Sequence, residues 1–326
     1  MSDITLIDAV NQALAYEMGQ DPRVVIFGED IGKNGGVFRA TVGLLEKFGP
    51  ERVLDTPLAE SMIAGLAVGM AIEGLRPVAE FQFMGFIYPG FNQIISHASR
   101  MRNRTRGRLS CPLVYRAPYG GGIRAPEHHS ESTEALFAHI PGLRVVIPSS
   151  PVRAYGLLLA AIRSPDPILF LEPKRIYRSV KQRVPNNGEA LPLDRCFVLR
   201  EGTDVTLVSW GASMHETLQA ATQLSTQGIQ AEVIDVATIK PLDIVTILNS
   251  VEKTGRLVIV HEAARTCGVG AEIAAQVAEH GLLSLLAPIQ RVTGYDTIMP
   301  YFKMEKHYIP SVKRIVQTVN ELMEYA

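Results

Sequence analysis

The sequence predicts an α/β protein made of two doubly wound domains, each built on a mainly parallel β-sheet. Its 326 residues exceed the size at which one hydrophobic core usually stops growing, and 47% of them are hydrophobic. Short continuous apolar runs alternate with longer segments of helical period, which is typical of buried parallel strands with crossover helices. One stretch rich in Pro, Asn, Gly and charge interrupts this alternation and places the domain boundary near residue 190.

The first domain, residues 1–190, begins with apolar residues at helical spacing and continues with a compact apolar run that ends in Gly and acids. Three more helix–strand alternations follow before the boundary. Helices are predicted over 4–20, 61–73, 91–103 and 151–164. Strands are predicted over 23–30, 76–82, 112–118, 143–149 and 167–173.

The second domain, residues 191–326, resumes the same alternation over about 130 residues and again predicts a mainly parallel sheet. Its apolar, strand-like runs are 204–211, 231–243, 256–263 and 289–296. Its predicted helices are 213–228 and 270–283. We find no short-period repeat and no low-complexity tract.

Composition excludes several classes of protein. The chain has 32 Lys plus Arg against 33 Asp plus Glu, so no basic surface for nucleic acid is expected. The three cysteines have no CxxC spacing, which argues against a disulfide framework or a zinc cluster. The apolar run after Glu60 is broken before about 20 residues, so no membrane span is expected. The N-terminus resembles neither a signal nor a transit peptide, which favours a cytoplasmic protein.

Glu60 stands at the head of a segment, residues 61–72, in which nearly every residue is apolar or small. A carboxylate in the first turn of a helix is favoured by the helix dipole, and this alone could explain it. However, the composition predicts a helix that is buried on all sides, so we expect Glu60 to be partly desolvated. Desolvation favours the protonated or proton-sharing form and makes Glu60 a candidate functional group.

Two glycine-rich segments are candidates for ligand binding. Residues 119–132, YGGGIRAPEHHSES, carry adjacent histidines that either are solvated on a surface loop or present an imidazole at a cleft. No GxSxG or HExxH motif partners them. The nearest dinucleotide-like spelling, GVGAEI, lacks the full fingerprint, so a nicotinamide-dependent oxidoreductase is a poor alternative.

Several ordered motifs together resemble a known family. FGEDIG, DTPLAES, GLRPVAEFQF, HHSES, PGLRVVIPSSP and PILFLEPKRIYR are similar to the beta subunits of thiamine-diphosphate-dependent 2-oxoacid dehydrogenases. These are subunits of the decarboxylating first component of pyruvate and branched-chain 2-oxoacid dehydrogenase complexes. The resemblance runs from about residue 4 to the C-terminus. It implies a pyrimidine-binding domain over 1–190 and a transketolase C-terminal-like domain over 191–326.

The resemblance also implies an α2β2 heterotetramer, in which the alpha subunit holds the cofactor diphosphate through Mg2+. The alpha motif begins with GDG, which this sequence lacks, so we expect the chain to supply half a site. The acyl group would pass to a lipoyl group on the acyltransferase, whose peripheral subunit-binding domain docks on the beta C-terminal domain. Pyruvate is favoured as substrate because FQFMGF resembles the pyruvate-type pattern. The alternatives are a branched-chain 2-oxoacid and a mainly assembly or docking subunit.

The same resemblance assigns roles to individual residues. Glu60 would hydrogen-bond a ring nitrogen of the cofactor aminopyrimidine, and His129 would lie near the substrate and the lipoyl arm. Glu29 would line a tunnel between active sites, unless it is a solvated acid in a turn. The further cofactor-binding positions are Leu58, Gln82 and Phe86. Backbone carbonyls would bind a potassium ion at Leu113, Ala161, Ile162, Ser164 and Asp166, although the family often has an acid where Ser164 stands.

Overall fold

The computed structural model describes residues 3–325 and confirms the predicted fold class, with two mainly parallel sheets flanked by helices. The larger sheet has seven strands in the order β12-β6-β7-β5-β4-β2-β3. All neighbours are parallel except β12, which is antiparallel to β6. Its strands are β2 (Val24–Gly28), β3 (Val53–Asp55), β4 (Arg76–Glu80), β5 (Val114–Tyr119), β6 (Arg144–Val146), β7 (Ile168–Pro173) and β12 (Thr238–Lys240).

The smaller sheet has five strands in the order β14-β13-β10-β11-β9, of which only β9 is antiparallel to its neighbour. Its strands are β9 (Phe197–Arg200), β10 (Val205–Ser209), β11 (Ala231–Asp235), β13 (Leu257–Val260) and β14 (Gln290–Val292). A short antiparallel pair joins β1 (Ile4–Thr5) to β8 (Lys181–Gln182). The run predicted over 231–243 therefore serves two sheets, because β11 belongs to the smaller one and β12 completes the larger one.

Helices cover both faces of each sheet. In the first half they are α1 (Leu6–Gln20), α2 (Leu44–Phe48), α3 (Glu60–Ile72), α4 (Phe91–Gln93), α5 (Met101–Arg104), α6 (Glu134–Ala138) and α7 (Pro151–Arg163). In the second half they are α8 (Ser213–Ser225), α9 (Ile244–Thr254), α10 (Val269–Gly281), α11 (Phe302–Tyr308) and α12 (Val312–Met323). Within residues 3–325, no helix has the length and apolar character needed to cross a membrane.

Local chemistry explains where α1 begins, and local hydrogen bonding shows how another helix is interrupted. Thr5 and Asp8 form a reciprocal capping box, so α1 starts at Leu6. The helix predicted over 91–103 is divided, because residues 94–98 form a π-helical turn between α4 and α5. In that turn the N–H of Ser99 donates to the carbonyl of Ile94 at 3.0 Å, one residue beyond the α-helical partner.

The largest apolar core lies between the two halves of the chain. It joins Ile63 and Ala67 of α3 to Ile247 of α9, Ile273 of α10 and the buried Trp210. A second core packs α1 and α7 against the outer face of the larger sheet, and a third packs α8 and α12 against the smaller sheet. The shared core and the donated strand β12 therefore join the two halves structurally.

Candidate active site

The candidate side chains gather outside the carboxyl ends of four adjacent parallel strands, β3, β2, β4 and β5. Glu29 follows β2 directly, and Glu60 follows β3 as the first residue of α3. Phe86 ends a 3-10 turn after β4, and His129 lies in the loop after β5. Ligands of open α/β sheets bind in this position, because the strand ends and the following loops form a crevice there.

Glu60 is half-buried at the N-terminus of α3, where the helix dipole favours its negative charge. The turn at residues 88–90 packs directly on this helix end. The Ser61 hydroxyl donates to the carbonyl of Pro89 at 2.5 Å, and Gly90 lies so close that a Cβ there would be 3.0 Å from the Glu60 carbonyl oxygen. Within the described part of the chain, no hydrogen bond reaches the Glu60 carboxylate, which leaves it free as an acceptor.

The helix behind Glu60 is not buried on all sides, and the prediction that it would be is wrong. Ile63, Ala67 and other residues of one face enter the core, but Met62 is 40% exposed and Leu66 is 38% exposed. Leu58, just before the helix, is 71% exposed. The apolar composition of α3 therefore includes an open face beside the candidate acid.

Glu29 lies close enough to Glu60 for the two carboxylates to repel each other. Burial, followed by repulsion from Asp30 and Glu60, raises the pKa of Glu29 above its ordinary value. Two acids at the end of neighbouring strands create a locally negative crevice. Such a crevice favours a ligand that donates hydrogen bonds or shares a proton.

An aromatic cluster forms the wall next to these acids. The His129 ring lies 5.1 Å from Phe86 and 4.6 Å from Phe83, measured between ring centroids and with edge-to-face geometry. Gln82 is half-buried just after β4, between this cluster and the sheet. By contrast, His128 is exposed, with its Nδ1 3.5 Å from Glu131. Of the two adjacent histidines, His129 therefore faces the crevice.

A buried ionic group supports the sheet beneath the site. It consists of Arg116, Glu80, Glu172 and Tyr177. Arg116 on β5 donates to Glu80 on β4 at 2.8 Å and to Glu172 on β7 at 2.6 and 3.0 Å. The Tyr177 hydroxyl donates to Glu172 at 2.7 Å. Arg116 is only 2% exposed, so one guanidinium balances two carboxylates out of reach of solvent.

The positions at which the resemblance implies potassium lie at the amino ends of the strands of the larger sheet. Leu113 comes just before β5, Ala161 and Ile162 are in the last turn of α7, and Ser164 and Asp166 lie between α7 and β7. There the Arg76 guanidinium donates to the carbonyls of Ile162 and Ser164 at 2.7 and 3.2 Å. The Leu113 carbonyl accepts from the Ile168 N–H, and those of Ala161 and Asp166 accept from Ser164. A guanidinium thus uses two of the five carbonyls, and the residues do not fit a bare cation in this arrangement.

Residues 3–325 contain no group of three or more His, Cys, Asp or Glu side chains placed to hold a metal ion. The crevice as described therefore presents carboxylates, an imidazole and aromatic rings. Groups of these types can bind and orient a heteroaromatic ligand and exchange protons with it.

Sequence reasoning missed four residues around the His129 loop. Phe83 belongs to the aromatic run FQFMGF and Lys174 to the motif PILFLEPKRIYR, but neither residue was singled out. Glu262 and Glu305 come from the second half of the chain, and their carboxylates accept hydrogen bonds from the loop. Glu262 comes two residues after the buried strand β13, and this position at a strand end is a local signal that could have drawn attention to it.

Comparisons with known proteins agree with this architecture. The family described as transketolase, pyrimidine binding domain matches residues 2–180, and transketolase, C-terminal domain matches residues 194–315. Pyruvate dehydrogenase E1 component subunit beta from Acholeplasma laidlawii is 50% identical over 322 residues, which cover 99% of this chain and 98% of that protein. The protein of the same name from Bacillus subtilis (strain 168) is 46% identical over 325 residues, covering all of both chains.

One solved structure shows the same fold along the whole chain. It is described as a split gene transketolase, inactive beta4 tetramer, and superposes with a TM-score of 0.81 over 99% of both chains. Its sequence is 24% identical, so this likeness concerns the fold alone.

Proposed function

This chain belongs to the family of pyruvate dehydrogenase E1 component beta subunits, and we propose that it supplies half of a thiamine diphosphate site completed by an alpha subunit. When bound, this cofactor serves as the electron sink for decarboxylation of the 2-oxoacid. The substrate we assign is pyruvate, and the acyl acceptor is a lipoyl group on the acyltransferase. The alpha subunit would complete an α2β2 heterotetramer and hold the diphosphate through Mg2+.

The observation that carries this proposal is the open apolar face next to Glu60. Leu58, Met62 and Leu66 are exposed beside a carboxylate that no described residue binds. Exposed apolar groups next to such an acid favour an interface between protein chains. A partner that covers this face would also close the crevice over a ligand.

The residues fit the aminopyrimidine part of the cofactor. Glu60 offers a free carboxylate to a ring nitrogen, and Phe86 offers an aromatic wall to the ring. By the resemblance, Gln82 and Leu58 also line the pyrimidine. Because the sequence lacks the GDG motif, the diphosphate and its Mg2+ are assigned to the partner.

In this proposal, each residue of the chain has a limited task. Glu60 holds or shares a proton at the pyrimidine nitrogen, and the neighbouring Glu29 keeps the crevice negative. His129 orients the substrate and gives or takes a proton as the acyl group leaves for the lipoyl arm. Phe83 and Phe86 limit the access of water to that imidazole.

Replacing the acid tests this assignment. With the alpha partner present, we expect Glu60→Gln to lower the rate of pyruvate decarboxylation by at least about 100-fold, the usual scale for losing a general acid–base group. Glu73→Gln is the matched control, because Glu73 is exposed at the other end of the same helix. Full activity of Glu60→Gln in an assembled complex would refute the role of Glu60.

The choice of pyruvate over a branched-chain substrate is tested separately. A pocket distinguishes substrates that differ by one or two methylenes by only about 1–3 kcal/mol. We therefore compare kcat/KM for pyruvate and 3-methyl-2-oxobutanoate in the reconstituted pair. A higher value for the branched substrate would overturn the pyruvate assignment without affecting the site.

We also propose that the second half of the chain docks on the peripheral subunit-binding domain of the acyltransferase. Leu282, Leu283 and Leu286, at the end of α10, are exposed by 62%, 100% and 60% and form an apolar group suited to docking. Deleting residues 191–326 would test this poorly, because β12 and the shared core would be lost as well. Single surface substitutions are the sharper test.

A cytoplasmic location remains a prediction.

A further inference from the structure

We infer that two buried carboxylates of the second half of the chain, Glu262 and Glu305, position the loop that carries His129. This loop, here called the histidine loop, comprises residues 120–132. The inference rests on the proposed function, since it assigns the two acids a part in the same site. Both acids bond backbone N–H groups and a hydroxyl of the loop and not the His129 ring, so they are positioning residues that act through the loop.

Glu262 holds both ends of the histidine loop. It lies two residues after β13 and is only 4% exposed. Its Oε1 accepts a hydrogen bond from the backbone N–H of Gly121 at the start of the loop. The same oxygen accepts from the Ser132 hydroxyl at 2.9 Å, at the end of the loop. A single carboxylate of the smaller sheet therefore fixes the distance between the two ends.

Glu305, on α11, holds the first turn of the histidine loop. It accepts from the backbone N–H of Gly122 at 2.7 Å and from that of Arg124 at 3.2 and 3.3 Å. Like Glu262 it is buried, at 5% exposure. Hydrogen bonds to an ionised acceptor are roughly twice as strong as those between neutral groups. Their electrostatic strength increases further where the bond is shielded from water. Three backbone amides of one short segment thus depend on acids from another part of the chain.

The backbone of the histidine loop needs this support, because much of it adopts left-handed conformations. Gly120 and Gly122 have φ of 82° and 87°, and Arg124 and Glu127 have φ of 61° and 44°. Such angles are costly for residues with a Cβ and persist only where the surroundings impose them. Glu305 binds the N–H of Arg124 itself, and Glu262 and Glu305 bind those of Gly121 and Gly122, so the two acids supply this constraint over residues 120–124.

The consecutive glycines also allow the close approach of Met299, from the second half of the chain, and of Arg175, from the first half. A Cβ at Gly121 would lie 2.5 Å from Met299 Cε, and one at Gly122 would lie 2.0 Å from Arg175 Cδ. Both distances are shorter than any real contact. The glycine run that the sequence left unexplained is thus where the loop is pressed against the acids and their neighbours.

On its other side, the histidine loop packs on the aromatic wall of the crevice. A Cβ at Gly85, in the turn that carries Phe86, would lie 2.3 Å from the His128 carbonyl oxygen. Lys174 lies near the same aromatic cluster, with its ammonium 6.0 Å from the Phe83 ring centroid. The ammonium also interacts electrostatically with the carboxylates of Glu262, Glu305 and Glu131. The loop is therefore held between the aromatic cluster and the two acids, and Lys174 balances part of their charge.

The test uses the reconstituted complex and two readouts. We expect Glu262→Ala and Glu305→Ala each to speed hydrogen exchange at the amides of Gly121, Gly122 and Arg124 by at least about tenfold. We expect kcat for pyruvate to fall by about 10- to 100-fold, the scale expected when a catalytic group is displaced by about 1 Å. KM should change less than threefold, and Glu305→Gln, which keeps an acceptor, should recover part of kcat.

Glu232→Gln is the matched control, because Glu232 is a buried acid of the smaller sheet that bonds Lys253 and Gly202 instead of the loop. It should leave both readouts unchanged. Unchanged exchange at the three amides in the Glu262→Ala, Glu305→Ala double variant would overturn the inference. The exchange readout does not depend on activity, so a complex that turns over no 2-oxoacid would refute the proposed function and leave this test intact.

Discussion

Removing the guanidinium of Arg116 is the most quantitative test of how the scaffold supports the site. Arg116→Met keeps the length and apolar volume of the side chain but deletes three hydrogen bonds to Glu80 and Glu172. Both acids are nearly inaccessible to solvent, at 5% and 0% exposure. The variant therefore leaves two buried carboxylates whose only remaining hydrogen-bond donor, within residues 3–325, is the Tyr177 hydroxyl.

The expected magnitude follows from that geometry. Breaking a buried ion pair by removing one partner costs about 3–5 kcal/mol, because the other charge stays buried without compensation. Burial already raises the pKa of Glu80 above its ordinary value even with Arg116 present. Without the guanidinium, the folded chain should bind protons more tightly than the unfolded chain. Stability of the variant should therefore fall further as the pH rises.

The assay is urea unfolding of the purified chain, followed by far-ultraviolet circular dichroism at pH 6 and pH 8. Arg102→Met is the matched control, because it removes an exposed pair with Asp166 and should cost at most about 1 kcal/mol. Adding Glu80→Gln and Glu172→Gln to Arg116→Met should restore at least half of the loss. If Arg116→Met costs no more than Arg102→Met, our view of the buried group is refuted.

Two further substitutions test other parts of the molecule. Burial raises the pKa of Glu134 to about 7, so its ionisation should destabilise the fold increasingly between pH 5 and pH 8. The free energy of unfolding of Glu134→Gln, relative to that of the parent, should therefore rise by about 2–3 kcal/mol between pH 5 and pH 8. Parallel pH profiles of the two proteins would contradict this. Leu283→Glu should weaken capture of the acyltransferase subunit-binding domain at least about tenfold, measured by calorimetry with Leu199→Glu, an exposed position on β9, as control. Equal affinities of the two variants would exclude docking at the leucine group.

The sequence predicted the main elements well where a single periodicity was strong. The strands predicted at 23–30 and 204–211 appear as β2 and β10, and α7 begins at Pro151, after the Ser150 cap. The helix α12 was missed although Ile315, Val319 and Leu322 mark a clear apolar stripe. The sequence did not predict that β12, from the second half of the chain, pairs with β6 in the larger sheet. The pairing of a short strand depends on tertiary contacts that no local pattern encodes.

The site was predicted in part, and for a physical reason. Glu60, Phe86 and His129 belong to local motifs at strand ends, so sequence could place them at one edge of the sheet. The prediction that α3 is buried on all sides was wrong. An apolar helix face has the same sequence pattern whether it packs inside its own chain or is left exposed. Glu262 and Glu305 were missed because their contacts with the loop join residues that are 130 or more positions apart in the sequence.

The most direct test of the central proposal is to measure cofactor binding and catalysis in three samples. These are the purified chain, a GDG-containing alpha subunit, and an equimolar mixture of the two. Calorimetry with thiamine diphosphate and Mg2+, followed by release of carbon dioxide from pyruvate, gives both readouts. We predict tight binding and decarboxylation only in the mixture. Decarboxylation by this chain alone, at the rate of the mixture, would contradict the shared site.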